Sequence, residues 1–424
     1  MNELDGLSGR PARSLDRLRR RRVIPAFVGA LALAGGALAS SASGSVATPP
    51  AEHVSTTGTD AGNCVSSPCK TLNYAISVAS SGGTILVAAG TYNQTVNVSK
   101  PVKLLGAGAG KTILDGHGLD PSNSGYFGVV YFGAINGVAT IQNFTITNPE
   151  PYTYTGGEPM AVVAYRDTNA SDRVNILDDT ITEGSADSTK ATDFPIGIDT
   201  FLEAGTVAIE HDTISGFFQG ALLEDNGPDT VTGSRIQQLI TGTDNSTNPP
   251  TVYPPEGIFF LADEGGTYSG QFASFNTFSG YSGDGIDEAA GYQGGYVVPG
   301  CIANGSIVMG LKNNVFRLTG GHTGTGIFLQ ATGTGNTLSG TATGDSGYVT
   351  SPSNAIKVES ISTAVVNPQP NCGAYAQSVP GAAAVDVVQN GEHLVVNAAH
   401  AAAARAAGAV HHTHALHVPR LAKL

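Results

Sequence analysis

The chain has 424 residues, 56 of them Gly and none Trp, with 13% charged residues and a formal net charge of −13. Such an acidic surface excludes nucleic acid and anionic lipid as natural partners. At this length two or three globular domains would be expected, unless the core grows lengthwise through stacked repeats.

The amino terminus reads as an address. Arg17, Arg19, Arg20, Arg21 and Arg22 precede an apolar, small-residue run over 23–39, and Ala37-Leu38-Ala39 and Ser45-Val46-Ala47 offer cleavage sites. This is the layout of a secretory signal, which makes residues 1–47 a leader and the mature chain secreted. The alternative is an uncleaved segment that anchors the chain to a membrane. Removing the leader leaves 14 basic against 31 acidic residues.

Cys64, Cys69, Cys301 and Cys372 make an even count, as expected for two disulfides in an exported chain. Their spacing favours Cys64 with Cys69 and leaves Cys301 with Cys372. Zinc binding is the rival reading, and no second close Cys or His pair near Cys301 supports it.

Residues 69–116 read CKTLNYAISVASSGGTILVAAGTYNQTVNVSKPVKLLGAGAGKTILDG. Leu72, Ala75, Ile76 and Ala79 follow helical spacing, so a short amphipathic helix is expected at about 70–80. Thr84–Ala88, Thr95–Val98, Val102–Leu105 and Thr112–Leu114 then read as strands between Gly, Asn and Pro turns. A stack of coils needs a lid over its open apolar end, and this helix supplies one.

From Ile141 to Val358 two short signatures alternate. One is a polar residue, a spacer and an apolar anchor, with anchors at Ile146, Ile181, Ile214, Ile236, Phe278, Phe316 and Leu338. The other is a Gly-led apolar run, at 197–199, 220–223, 257–261, 285–287 and 326–329. Recurrence every ~20–40 residues marks a solenoid. The fold class is therefore all-β, a right-handed parallel β-helix with an N-terminal capping helix over 48–375. An Ala/His-rich tail, 376–424, is expected to be part capping and part disordered. Polar residues before the anchors (Asn143, Asp179, Asp212, Asn276, Asn314, Asn336) are expected to form a stacked turn ladder. The segment 238–256 is Pro-rich and reads as a long loop.

The entry segment, with its helix and its TILVAAGTY and LLGAGAGKTILDG strands, resembles the opening of the pectin-lyase-like superfamily of right-handed parallel β-helix proteins. With the later coils the resemblance covers roughly residues 60–360. It implies the fold and a polysaccharide or cell-surface glycan as partner. It does not select a reaction, because lyases, esterases, hydrolases, tailspikes and surface proteins share it.

Aligning the Gly-led runs puts Asp199, Leu222, Phe259, Asp287 and Phe328 in one outward column if Ile198, Ala221, Ile258, Ile286 and Ile327 point inward. Acids gather beside it, and three readings are open. In the first, the chain is a glycoside hydrolase with paired carboxyls among Asp263, Glu264, Asp284 and Asp287, His322 positioning substrate, and Phe259, Phe328, Tyr281 and Tyr292 as sugar platforms. GDGID and GGHTG resemble the polygalacturonase set loosely, and its paired-Asp, Gly-His-Gly and Arg-Ile-Lys motifs are not present as such. In the second, Glu224, Asp225 and Glu288 hold calcium for a polysaccharide lyase. In the third, the acids are solvated turn residues and the chain is a non-catalytic surface, glycan-binding or structural module. On each reading the chain is expected to be a monomer.

Overall fold

The computed structural model describes residues 49–119, 128–149, 159–165, 171–184, 194–201, 205–224, 227–244, 249, 251–262, 266–290, 305–318, 326–332, 337–349, 356–361, 384–389 and 392–397. The chain divides into Met1–Ala47 and Thr48–Leu424, and the described residues all belong to the second unit. The leader, the Cys301 and Cys372 bridge and the terminal His run lie outside the described residues. Among those residues no helix is long and apolar enough to cross a membrane.

The architecture is a right-handed parallel β-helix. Each coil runs through three sheets in turn, as in Thr206–Glu210 on sheet 1, Thr213–Ser215 on sheet 2 and Gln219–Glu224 on sheet 3. Among the described residues sheet 1 has twelve strands and sheets 2 and 3 nine each. Every pairing within the stack is parallel until the last strand of sheet 1, Glu392–Asn397, which turns back antiparallel on Ala384–Gln389. Within the segment read as a loop, Gly242–Asp244 and Thr251–Tyr253 pair antiparallel as a small ribbon.

Short strands of this kind are weak alone. They hold because each carries one or two apolar side chains into a shared interior. On sheet 2 the interior row is Leu114, Ile146, Ile181, Ile214, Ile236, Phe278 and Phe316, each directly paired with the next and none more than 2% exposed. Phe278 and Phe316 stack with centroids 4.9 Å apart. Burying each such side chain contributes about 1.5–3 kcal/mol. Leu338 does not belong to this row. It lies on sheet 1, paired with Ile307, and the place after Phe316 goes to Gly347. Its N-T-L triplet imitates the corner signature but leads into a sheet 1 strand, ahead of the corner.

The corner from sheet 1 to sheet 2 is fixed by a ladder of side chains. The backbone N–H of Phe144 donates to Asp179 Oδ1 (2.6 Å), Asp179 to Asp212 (2.6 Å), Asp212 to Ser234 Oγ (3.1 Å), Ser234 to Asn276 (2.9 Å), Asn276 to Asn314 (3.1 Å) and Asn314 to Asp345 (2.8 Å). These N–H groups are turned away from the sheets, and without the side chains they would be orphaned. Asn143 is not a rung. It stands one residue earlier, at a left-handed position (φ 66) shared with Asp178, His211, Gly233, Phe275, Asn313 and Gly344. Asn336 lies outside the described residues.

The amino-terminal end is closed by the helix Leu72–Val78, which buries Leu72, Ala75 and Ile76 against the first coil. Thr71 caps it, its Oγ1 accepting from the Tyr74 N–H at 3.3 Å. Asp60 holds the approach by accepting from the Lys70 and Thr71 N–H groups and the Thr71 hydroxyl. The Cys64–Cys69 disulfide ties the loop beside it.

Candidate functional site

Sheet 3 carries the Gly-led runs. Gly197, Gly220, Gly257 and Gly285 stack so closely that a Cβ on any of them would strike the carbonyl oxygen of the following coil. The chain bends there and the strict alternation of faces is interrupted. The residue before each glycine and the residue two after it therefore both face outward, while the residue between them enters the core.

Two outward rows result. The first runs Ile196, Gln219, Glu256, Asp284 and the second Asp199, Leu222, Phe259, Asp287, Phe328. Two residues further along the strands, Phe201 pairs with Glu224, and Glu224 with Leu261. Met160, Val163, Ile196, Leu222, Phe259 and Leu261 pack together on this outer face, with Tyr131 and Tyr165 half-buried at its margin.

Carboxyl groups are set into that apolar strip and around it. Asp199, paired between Val163 and Leu222, is 5% exposed, and Glu224, at one side of the strip, is 8% exposed. They lie on adjacent strands, offset by two residues on the same face, which places their backbones about 8 Å apart from strand spacing and rise. Burial pushes the Asp199 carboxyl up to about 7, opposed by a backbone hydrogen bond from Thr200. Its Oδ1 has no hydrogen-bond partner. On the other side Glu256 sits directly opposite Asp284, and Gln219 Nε2 donates to Glu256 Oε2 at 2.6 Å. Asp287 follows Asp284 on the same face.

The remaining sequence candidates are distributed differently. Asp263, Glu264, His322, Tyr292 and Asp225 lie outside the described residues, as does the side chain of Phe328. Phe259 faces outward but is fully buried in the apolar strip, so no sugar-stacking face is open. Tyr281 belongs to the interior cluster, where its hydroxyl donates to the Asp284 carbonyl at 3.3 Å, and burial, reinforced by Asp284, raises it well above the usual phenol range.

The calcium set does not assemble. Glu288 pairs with Phe260 in the row that Leu223 and Phe260 carry into the core, so it points into the solenoid while Glu224 points out. Period-two alternation puts the two on opposite faces of one sheet. Among the described residues no three His, Cys, Asp or Glu side chains converge on a metal position.

Glu256 escaped sequence reasoning. Its signal was the polar residue that immediately precedes three of the four glycines, in Gln219-Gly220, Glu256-Gly257 and Asp284-Gly285. Asp199 stood in the expected column without a role, since only its burial distinguishes it.

Fold and site together define a parallel β-helix with a carboxyl-bearing outer face on one sheet. No family model matches the chain, and no curated protein matches it in sequence. Among solved structures it is similar to pectin methylesterase PemA from Erwinia chrysanthemi, at 11% identity and a TM-score of 0.40, over 67% of this chain and 89% of that one. It is also similar to a pectin methylesterase from carrot (10% identity, TM-score 0.34, 80% and 88% covered). A third likeness is to the pectate lyase Pel9A (12% identity, TM-score 0.35, 78% and 82% covered). Likenesses this distant go no further than the coiled architecture and assign no activity.

Proposed function

We propose that this chain is an exported, carbohydrate-associated β-helix protein that hydrolyses a polysaccharide on the outer face of sheet 3. The observation that carries the reading is the Asp199 and Glu224 pair. One carboxyl is held protonated near neutrality by burial, and a second stands on the same face of the next coil, its backbone about 8 Å away; an inverting glycosidase needs two such carboxyls with room for a water between them. Asp199 donates its proton to the leaving glycosidic oxygen. Glu224 takes a proton from the attacking water on the opposite face of the sugar. Both groups are withdrawn from solvent, so turnover requires the site to open. The Cys64–Cys69 disulfide supports an oxidising compartment and hence export. The test is incubation with xylan, β-glucan, mannan and polygalacturonate, reading reducing ends and the anomeric configuration of the first product by NMR. Release with inversion, lost in Asp199→Asn and Glu224→Gln, is expected. Retention of configuration would remove this pair from the mechanism.

A second reading, a glycan-binding module without turnover, is favoured by the complete burial of Phe259 and Asp287 in the middle of the face. Binding to the same polymers with no product from any of them would select it.

A further inference from the structure

The corner between sheets 1 and 2 holds a residue that folding does not explain. Phe275 is 56% exposed and adopts φ 57, the left-handed region. That conformation is tolerated by Gly, Asn and Asp and is costly for a bulky side chain. The other coils fill the same position with Asn143, Asp178, His211, Gly233, Asn313 and Gly344. Phe275 is also the sole aromatic among the exposed large apolar side chains of the described residues. Strain and exposure thus coincide at one aromatic ring, and neither stabilises the coil.

Its surroundings on the ridge are specific. The corner residues stack one per coil, each donating its backbone N–H to a carbonyl of the next, from His211 to Thr232, Gly233 to Ser274 and Phe275 to Lys312. Gly233 lies between His211 and Phe275. The His211 imidazole lies across it, since a Cβ at Gly233 would come within 2.6 Å of His211 Cδ2. The two residues therefore stand on one ridge, two coils or about 10 Å apart along the backbone, with the His211 ring reaching over the glycine between them toward Phe275. Polar groups flank them: Asp178 Oδ1 lies 3.9 Å from His211 Nδ1, and Asn313 follows Phe275.

We infer that this ridge is a glycan-contact surface, with Phe275 and His211 as successive stacking faces for a linear polysaccharide running along the solenoid axis. Isolated rings among hydroxyl, amide and carboxyl groups suit the alternating C–H faces and hydroxyl edges of sugars. Protein partners use contiguous apolar patches, which this ridge lacks, and the chain's net charge of −13 disfavours an anionic membrane. The inference rests on the carbohydrate-associated reading but uses a different part of the molecule from Asp199 and Glu224.

The test is affinity electrophoresis of the full chain in gels containing xylan, β-glucan, mannan or polygalacturonate. Phe275→Asn, His211→Asn and the double variant are compared with the wild type, and their folding is checked by thermal melting. The expected result is retardation of the wild type by at least one polymer, weakened at least tenfold in Phe275→Asn with no fall in melting temperature, and further weakened in the double variant. Unchanged retardation of Phe275→Asn, or no retardation of the wild type by any of the four polymers, overturns the inference. Product release that survives beside unchanged retardation refutes the ridge and spares the hydrolase. Weakened retardation with no product from any polymer does the reverse.

Discussion

The backbone N–H of Asp179 donates to the carboxylate of Asp212 on the following coil, at 2.6 Å, deep enough that neither residue exceeds 2% exposure. Two acids thus occupy consecutive rungs of a buried ladder. Burial drives both carboxyls well above the ordinary aspartate range, and at Asp212 the neighbouring Asp179 adds to it. Further along, Asn276 and Asn314 use the same oxygen as acceptor and also donate Nδ2 to the carbonyls of Val231 and Ala273. The second carboxylate oxygens of Asp179 and Asp212 have no hydrogen-bond partner.

Replacing Asp212 by Asn is therefore expected to stabilise the protein. The amide keeps the acceptor, adds a donor contributing about 1 kcal/mol, and cannot ionise. The folded state holds its proton more tightly than the unfolded chain, so stability contributed by protonated Asp212 is full at acid pH and falls as pH rises above the ordinary aspartate value. The gain from Asp212→Asn should be smallest at pH 3, where only the added donor contributes, and largest at neutral pH. Melting curves across that range check it, and a gain independent of pH would count against ionisation as its cause.

Glu288 poses the same question without a ladder. It points into the core, its carboxyl oxygens have no hydrogen-bond partner, and burial raises it well above the usual carboxylate range. Glu288→Leu should stabilise the fold by about 1–3 kcal/mol at neutral pH. The wild type should lose stability as pH rises above the ordinary glutamate value, and the variant should lose less. Denaturant midpoints at acid and neutral pH distinguish the two.

Phe275→Asn should also stabilise, by about 1 kcal/mol, because asparagine enters the left-handed region at lower cost. A measurable drop in melting temperature would mean that Phe275 makes intramolecular contacts that its exposure does not suggest.

Catalysis, if it proceeds through Asp199, should decline as pH rises through about 7, where that carboxyl loses its proton. Asp199→Asn and Glu224→Gln should each lower the rate by about 10²–10⁴-fold. Initial rates from pH 5 to 9 give the profile. A rate that climbs through pH 7 instead would exclude Asp199 as the proton donor.

Cleaving the Cys64–Cys69 link by Cys69→Ser should cost about 2 kcal/mol, the magnitude for a short closed loop. The loss should be local to the helical end. Hydrogen exchange would show faster exchange in Leu72–Val78 with the distant coils unaffected.

The winding of the chain was legible because its two signatures obey different geometry. Ile181, Ile214 and Phe278 each follow a left-handed residue and a rung, and only that sequence of conformations turns the corner. Leu338 has the look of an anchor, but its strand pairs on sheet 1. The rungs were half legible. Asp179 and Asn314 declared themselves, whereas Ser234 and Asp345 serve with side chains that composition alone would give to any turn. On sheet 3, Asp199, Phe259 and Asp287 fell into one row because the glycines mark the register. The same glycines conceal an irregularity, and counting by twos through Gly257 hides Glu256. Glu288 was misjudged because charge suggested solvent where the alternation of faces required the interior. No residue type announces which outward acids are covered, since that depends on what packs over them.

Parallel winding has no natural stopping point, because every new coil recreates the template that accepted it. The turn back at Glu392–Asn397 changes that template. A second molecule arriving head to tail would meet a strand of opposite polarity, and its first coil could not continue the parallel hydrogen-bonding pattern of sheet 1. At the other end Leu72, Ala75 and Ile76 fill the bore where a neighbour's last coil would have to rest. Growth into fibres is thereby discouraged at both ends, although the repeat itself invites it.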